Sequence, residues 1–370
     1  MRILFHAPHP GMPTGYGQQT ALILPRLRNM GHELAVTCTA GVDSHPTVWR
    51  DIPVFPKTPY CELGEDMVGP NAARWGADLV VTFYCLWTLR FPEVYRDLRT
   101  IHLLPVDTTP MSSADYAVLE HTGGLPAAIS RHGETQMRTR GLDPLYLPHG
   151  VDLSVFRPPA DRDGLRKSYG FDGKFVVGMN FMNNDKFRKN LDASIRGFAD
   201  FHREHPDSLL AMHAIQALPE GLNLPALCQH LGISKAVRWS VQEDLLSGFI
   251  GPEVLADWYG ACDVVVNIGN EGFGLPALEA QGCGTPVILG DWSTGPELVG
   301  PGWLVTGQPW WNDKHRADWG WAHLSSVTGA LEQAYDDAAK RRDDARDHAR
   351  GWDINRVVRD HWGKILEDLS

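Results

Sequence analysis

Apolar residues along the chain fall into short continuous runs, each followed by a stretch in which they recur every third or fourth position. The runs read as strands buried on both faces, and the stretches between them as helices with one apolar face. In order, Arg2–Ala7, Leu34–Thr39, Val80–Tyr84, Ile101–Val106, Ala127–Ser130 and Leu145–Leu147 are expected strands, with helices over Gln18–Met30 and Arg131–Arg140. A Pro/Gly-rich break then runs from Pro148 to Pro159. A second series follows, with strands at Lys174–Met179, Leu209–His213, Val237–Ser240, Cys262–Ile268, Val287–Leu289 and Trp303–Val305. Its helices are expected over Asn190–His202, Leu222–Leu231, Pro252–Gly260 and Leu275–Cys283. His323–Arg350 reads as a long charged helical region, and Trp352–Leu369 carries a helical apolar stripe. This alternation predicts an α/β fold of two doubly wound domains, 1–150 and 172–350, with a linker over 151–171.

The stretch with the most chemistry in it is Asn270–Thr285. A buried strand leads into the glycine turn Gly272-Phe273-Gly274, and a helix starts at Leu275 with Pro276 in its first turn. Strand, glycine turn and helix offer backbone N–H groups and a positive dipole end to a phosphate or a sugar. Two carboxylates bracket the turn, Glu271 and Glu279, eight positions apart (279 − 271). A similar strand–loop–helix passage occurs near the start, with Gly15-Tyr16-Gly17 in the loop, but without the G-x-G-x-x-G spacing of a dinucleotide fingerprint.

Composition narrows the class. A length of 370 residues suits two domains, and 21 % charged residues is ordinary for a globular enzyme. No apolar run approaches the roughly 20 residues of a membrane span, and Met1–Phe5 reads as a strand, not a signal peptide. Six scattered cysteines with no Cys-x-x-Cys pair read as reduced thiols of a cytoplasmic protein. The net charge of −11 speaks against a broad nucleic-acid surface. No cluster of His, Asp or Glu has metal-ligand spacing. Trp310, Trp311, Trp319 and Trp321 fall in one late loop, read as packing against the domain, with an aromatic acceptor platform as the alternative.

Glu271-Gly272-Phe273-Gly274-Leu275-Pro276-Ala277-Leu278-Glu279-Ala280, followed by Gly284-Thr285-Pro286-Val287, resembles the signature of the retaining GT-B glycosyltransferases of family four. Pro148–Asp152 with Phe156-Arg157-Pro158 resembles that family's linker, Arg188-Lys189-Asn190 its basic pair, and Gly295–Val299 its late Glu-Leu-Val segment. Over the first domain only Thr14–Gly17 and Pro105-Val106-Asp107 are similar. The resemblance implies a GT-B fold, two Rossmann-like domains facing across an interdomain cleft. The first domain would take the acceptor, the second the donor nucleotide, and the last helix, about 352–370, would pack back on the first.

The implied reaction moves a hexose from a nucleoside-diphosphate sugar (UDP- or GDP-linked) to an acceptor hydroxyl with retention. It needs no tightly bound cofactor and no metal. Arg188 and Lys189, with Lys186 close by, are the candidates to hold the diphosphate, whose charge grows as the glycosidic bond breaks. In the resemblance Glu279 accepts from the ribose hydroxyls, Glu271 contacts the transferred hexose, and the N–H groups of Gly272, Phe273, Gly274 and Leu275 face sugar and diphosphate. Gly15, Tyr16 and Gly17 would close over the same ligand from the first domain, and Asn180 and His149 would line the donor site. Asp107, at the carboxyl edge of the first sheet, would position or deprotonate the acceptor. His6, His9 and His102 read as structural. The acceptor class stays open: small molecule, glycan, protein or modified nucleic acid. A sugar-nucleotide epimerase or isomerase, or a non-catalytic sugar-nucleotide-binding subunit, is the alternative function. A homodimer through the C-terminal stripe is the alternative to its packing on the first domain.

Overall fold

The computed structural model describes residues 1–42 and 45–369. They form two compact units: Met1–Gly150 with Asn312–Ala317 and the segment from Ile354 onward, and Val151–Trp311 with Asp318–Asp353. The α/β expectation holds in each.

Unit 1 is built on eight strands: β1 (Arg2–Ala7), β2 (Glu33–Cys38), β3 (Thr47–Trp49), β4 (Ile52–Phe55), β5 (Leu79–Phe83), β6 (Thr100–Leu104), β7 (Leu125–Ala128) and β8 (Leu145–Tyr146). Their order is β3-β4-β2-β1-β5-β6-β7-β8, with β3–β4 antiparallel and the other pairings parallel. β3 and β4, short and partly exposed, went unseen in the hydrophobic pattern. Every residue of β5 and β6 is buried, which is why those runs are continuous rather than alternating. Chain order reverses between β1 and β5, the place where α/β sheets open a crevice at their carboxyl ends. The apolar stripe of the C-terminal segment lies in this unit: Ile354, Val357, Val358, Trp362 and Leu366 are buried, and the Trp362 ring lies 5.9 Å from that of Phe5.

Unit 2 carries β9 (Phe175–Asn180), β10 (Ser208–His213), β11 (Val237–Trp239), β12 (Val264–Asn267), β13 (Val287–Gly290) and β14 (Trp303–Val305) in the order β11-β10-β9-β12-β13-β14. Each pairing is parallel. The reversal falls between β9 and β12. Gly178 of β9 is needed for packing: a Cβ there would lie 2.8 Å from Cys262 Sγ and 3.1 Å from the Trp258 ring. The Trp-rich segment, expected as a loop, is instead a two-stranded sheet of β15 (Gly307–Asn312) and β16 (Ala317–Ala322). Its strands mix Trp with Gly, Pro and polar residues and carry no apolar run.

The Pro/Gly-rich segment after Gly150 is part of unit 2 and contains a helix, Arg162–Ser168, capped by Asp161. Arg162 and Arg166 bind Asp263, which leads into β12, at 2.7 and 3.0 Å. Arg166 also donates to the carbonyls of Ala261, Phe171 and Lys174. Replacing it leaves those buried acceptors unmet. Arg166→Ala is therefore expected to lower stability by about 2–4 kcal/mol, read as a lower urea midpoint at unchanged slope.

Candidate functional site

The strand ends that flank the reversal in unit 2 carry the candidate residues. β12 ends at buried Asn267. The chain then turns through Gly274, whose φ of +103° places it in the left-handed region, and enters the helix Leu275–Gly282. A side chain at that φ is strained, so glycine is the residue that lets the turn close onto the helix start. From β9 the chain runs through Lys186–Asn190 into the helix Leu191–Glu204.

These two loops are laced together. Asn270 N donates to the Arg188 carbonyl at 2.8 Å, and Arg188 Nη1 donates to the Asn270 carbonyl at 3.2 Å. Asn190, in the left-handed region at φ +49°, donates to the carbonyls of Ile268 and Gly320 at 3.1 and 3.0 Å and accepts from Ala322 N. Asn270 makes a two-way contact with Gly320, donating to its carbonyl at 3.1 Å and accepting from its N–H at 2.7 Å. Two asparagines thus dock β16 beside the turn.

The charges meet at Glu271. Its carboxylate is paired with Lys189 Nζ and lies 3.6 Å from Arg188 Nη1. Burial by itself would raise its pKa, but Lys189 and Arg188 reverse that and hold the carboxyl below its ordinary value. Lys186 lies exposed. The backbone of Glu271 is gripped by Ser293, whose hydroxyl donates to its carbonyl and accepts from its N–H. Ser293 sits at φ +52°, a strained position that brings the hydroxyl to this spot. Behind the turn a pocket is lined by Asn267, Gly269, Glu271, Gly274 and Thr294, with the Asn267 Oδ1 buried and without a hydrogen-bond partner.

Glu279 is 6 % exposed. It accepts from Tyr259 OH at 3.0 Å, and Tyr259 OH in turn accepts from Asn180 Nδ2 at 2.7 Å. Burial pushes the Glu279 carboxyl up to about 7, with the Tyr259 hydrogen bond pulling the other way. Phe273, expected to offer only its N–H, also buries its ring edge-on against Trp352 at 5.6 Å.

The Trp residues form a stack next to the basic pair. Phe187 lies on Trp310 at 4.9 Å, Trp310 on Trp319 at 6.0 Å, and Trp321 completes the group. Trp319 is buried, whereas Phe187 is 44 % and Trp311 56 % exposed. Trp292 holds this sheet against β13. Added Cβ atoms at Gly290, Gly307 and Gly320 would come within 2.3, 2.7 and 2.2 Å of its indole. Three glycines far apart in sequence thus form one slot for one ring. Tyr259, Ser293, Trp292 and Asn267 all escaped the sequence reading, because nothing in their local pattern sets them apart.

In unit 1, Tyr16 and His149 pack edge-on against the same ring, Phe83, at 4.9 and 5.0 Å. The first helix begins at Gly15, so Gly15, Tyr16 and Gly17 form its first turn, not a ligand loop before it. The Gly17 N–H already donates to the Thr14 cap at 3.1 Å. Gly17 is small because a Cβ would strike the Met12 carbonyl at 2.5 Å, and the Tyr16 hydroxyl meets Cys85 Sγ at 3.2 Å. Asp107 is half-buried past the end of β6, within electrostatic reach of Asp115 and His132. His149 is buried beside Phe83, and desolvation lowers it to about 3. His6 and His102 are fully buried and hydrogen-bonded, His6 to Tyr84, Tyr95 and the Leu63 carbonyl, His102 to Thr82 and Thr122.

Residues 233–313, which span the glycine turn and both glutamates, match the family described as "Glycosyl transferases group 1". Over these residues the chain is similar to the group 1 glycosyltransferases, and its fold is GT-B. It is 30 % identical over 228 residues to the D-inositol 3-phosphate glycosyltransferase of Rhodococcus opacus, an alignment covering 58 % of this chain and 47 % of that relative. It thus matches about half that relative's length. With D-inositol 3-phosphate glycosyltransferase 2 of Catenulispora acidiphila it shares 28 % identity over 313 residues, 80 % of this chain and 67 % of the relative. Two solved structures share the fold along essentially the whole chain, each at 18 % identity. Sucrose-phosphate synthase of Thermosynechococcus elongatus has a TM-score of 0.76 and covers 100 % of this chain and 99 % of its own. HepE of Anabaena, in complex with UDP-glucose, has a TM-score of 0.75 and covers 99 % and 100 %. Among the described residues no helix is long and apolar enough to cross a membrane, and no group of three His, Cys, Asp or Glu is placed to hold a metal ion.

The glycine slot around Trp292 yields a direct check. Gly320→Ala forces a methyl into the indole and is expected to cost about 1–3 kcal/mol, with loss of near-ultraviolet circular dichroism from the Trp stack. A variant with wild-type stability and spectrum would show that Trp292 does not hold the sheet.

Proposed function

We propose that this chain transfers a hexose from a nucleoside-diphosphate sugar to an acceptor hydroxyl, with retention of anomeric configuration and without a metal. The observation that carries the reading is Glu271 held between Arg188 and Lys189 at a glycine turn, with Glu279 one helical segment further on.

The chemistry follows from the charges. As the bond between C1 of the sugar and the diphosphate oxygen breaks, the electron pair leaves on the diphosphate. Arg188, Lys189 and the N-terminus of the helix Leu275–Gly282 supply the positive field there. A donor entering this site gives the two cations a second anion, which frees Glu271 to accept from hydroxyls of the hexose. Glu279 takes the ribose diol. The acceptor oxygen bonds to C1 on the face the diphosphate leaves, and its proton passes to the departing phosphate oxygen, so atoms and charge balance. Unit 1 is assigned to the acceptor, with Asp107 positioning its hydroxyl.

UDP-glucose is the first donor to test, because HepE is described with it, and GDP-sugars are the comparison. D-inositol 3-phosphate is the first acceptor, from the names of the relatives. With a working pair, Lys189→Ala and Glu271→Ala are each expected to lower kcat/KM by about 10²–10³. Unchanged transfer in both variants would end this site assignment. With donor alone, NMR showing a rearranged nucleotide sugar would point to an epimerase instead.

Glu279 adds a pH signature. A ligand that accepts its carboxylate as the hydrogen-bond partner favours the ionised form, which is the minor form below about pH 7. Affinity for UDP-glucose, whose diphosphate ester does not titrate here, is therefore expected to rise about tenfold from pH 6 to pH 8. The nearby titratable groups, Tyr259 and Cys283, are both pushed far above this window by burial. Calorimetric titration of wild type against Glu279→Gln, in which the slope should vanish, checks this. The same group makes a stability statement. Its folded pKa lies above the unfolded value, so its contribution to stability falls as pH rises from about 4.5 to about 7 and is level beyond.

A further inference from the structure

Glu279 is reached from behind by a relay of two hydrogen bonds. Asn180, the last residue of β9, donates Nδ2 to Tyr259 OH at 2.7 Å, and Tyr259 OH donates to Glu279 Oε2 at 3.0 Å. The directions follow from the donor inventory. An amide NH₂ cannot accept, so the phenol oxygen accepts from Asn180 and its single proton goes to the carboxylate. With the amide turned over, one phenol proton would have to serve two acceptors. Tyr259 is fully buried, and its own backbone carbonyl is held by Thr285 Oγ1 at 2.8 Å. Three separate elements, the end of β9 and the helices Pro252–Ala261 and Leu275–Gly282, thus converge on one carboxylate oxygen.

Such an arrangement acts on direction more than on adhesion. A glutamate side chain at this depth has rotamers to choose among, and a phenol fixed by packing selects one of them. It occupies Oε2, while Oε1 makes no hydrogen bond among the described residues. We propose that Tyr259 is the positioning residue that aims Glu279 at the ribose diol of the nucleotide, with Asn180 setting the direction of its proton instead of contacting the donor. This rests on the donor-site reading above. It also reassigns Asn180, which the sequence placed among the donor ligands.

The test is binding of UDP and of 2′-deoxy-UDP at pH 8, with GDP and 2′-deoxy-GDP in parallel, measured by calorimetry on the full chain. Wild type is expected to prefer the ribonucleotide by about tenfold. Tyr259→Phe keeps the ring and is expected to erase most of that preference while leaving 2′-deoxynucleotide affinity unchanged. Asn180→Ala should act in the same direction, and Glu279→Gln should abolish the preference. A purely structural Tyr259 would weaken both nucleotides equally, or lower only the melting temperature, and either result overturns the relay. A wild-type protein that binds neither nucleotide, or binds both forms alike, overturns the ribose assignment of Glu279 itself. The two failures are therefore separable: the first is read in the variants, the second in wild type.

Discussion

Glu271 is a carboxylate 16 % exposed, set between a lysine and an arginine, and the surrounding backbone is arranged to keep it there. A pair of this kind is weak evidence for stability, because removing charges from water costs about as much as their attraction returns. Arg188 and Lys189 both face this carboxylate and hold it ionised. The positions of Ser293, Asn270 and Asn190 make sense on this footing, since each fixes backbone next to a charged side chain instead of adding apolar contact.

The second carboxylate works by a different balance. Among the described residues Glu279 has no salt bridge and accepts from the Tyr259 phenol, so burial dominates and its proton is held to near-neutral pH. Two glutamates eight residues apart in one motif are thus pushed in opposite directions, one down by neighbouring cations and one up by desolvation. That separation of environments leaves one group ionised beside its cations and the other responsive to what displaces water from it.

Much of the fold was legible because parallel strands buried on both faces are continuous apolar runs. The strands and helices that the pattern predicted fall within a few residues of their places, while the helices Val68–Trp75 and Ser113–Thr122 went unread. What stayed hidden lacked that pattern. β3 is a short edge strand and β4 a short strand beside it, both partly exposed, and β15 and β16 mix Trp with Gly, Pro and polar residues, so neither shows a clean apolar run. The Gly15–Gly17 stretch was legible as glycine-rich but not as a helix start, since the Thr14 cap that takes its N–H depends on backbone geometry.

The sequence by itself determined the two α/β units, the glycine turn with its two carboxylates, and the basic pair, because each is written in residues close together along the chain. Only the tertiary structure decided how those groups are set against one another. It put Lys189 on Glu271 across 82 positions, Ser293 on the Glu271 backbone across 22, and Tyr259 on Glu279 across 20. It also gathered three distant glycines around Trp292. The physical reason is the parallel sheet: β9 and β12 are neighbours in space but far apart in sequence, so whatever follows each of them meets only once the crossovers have folded.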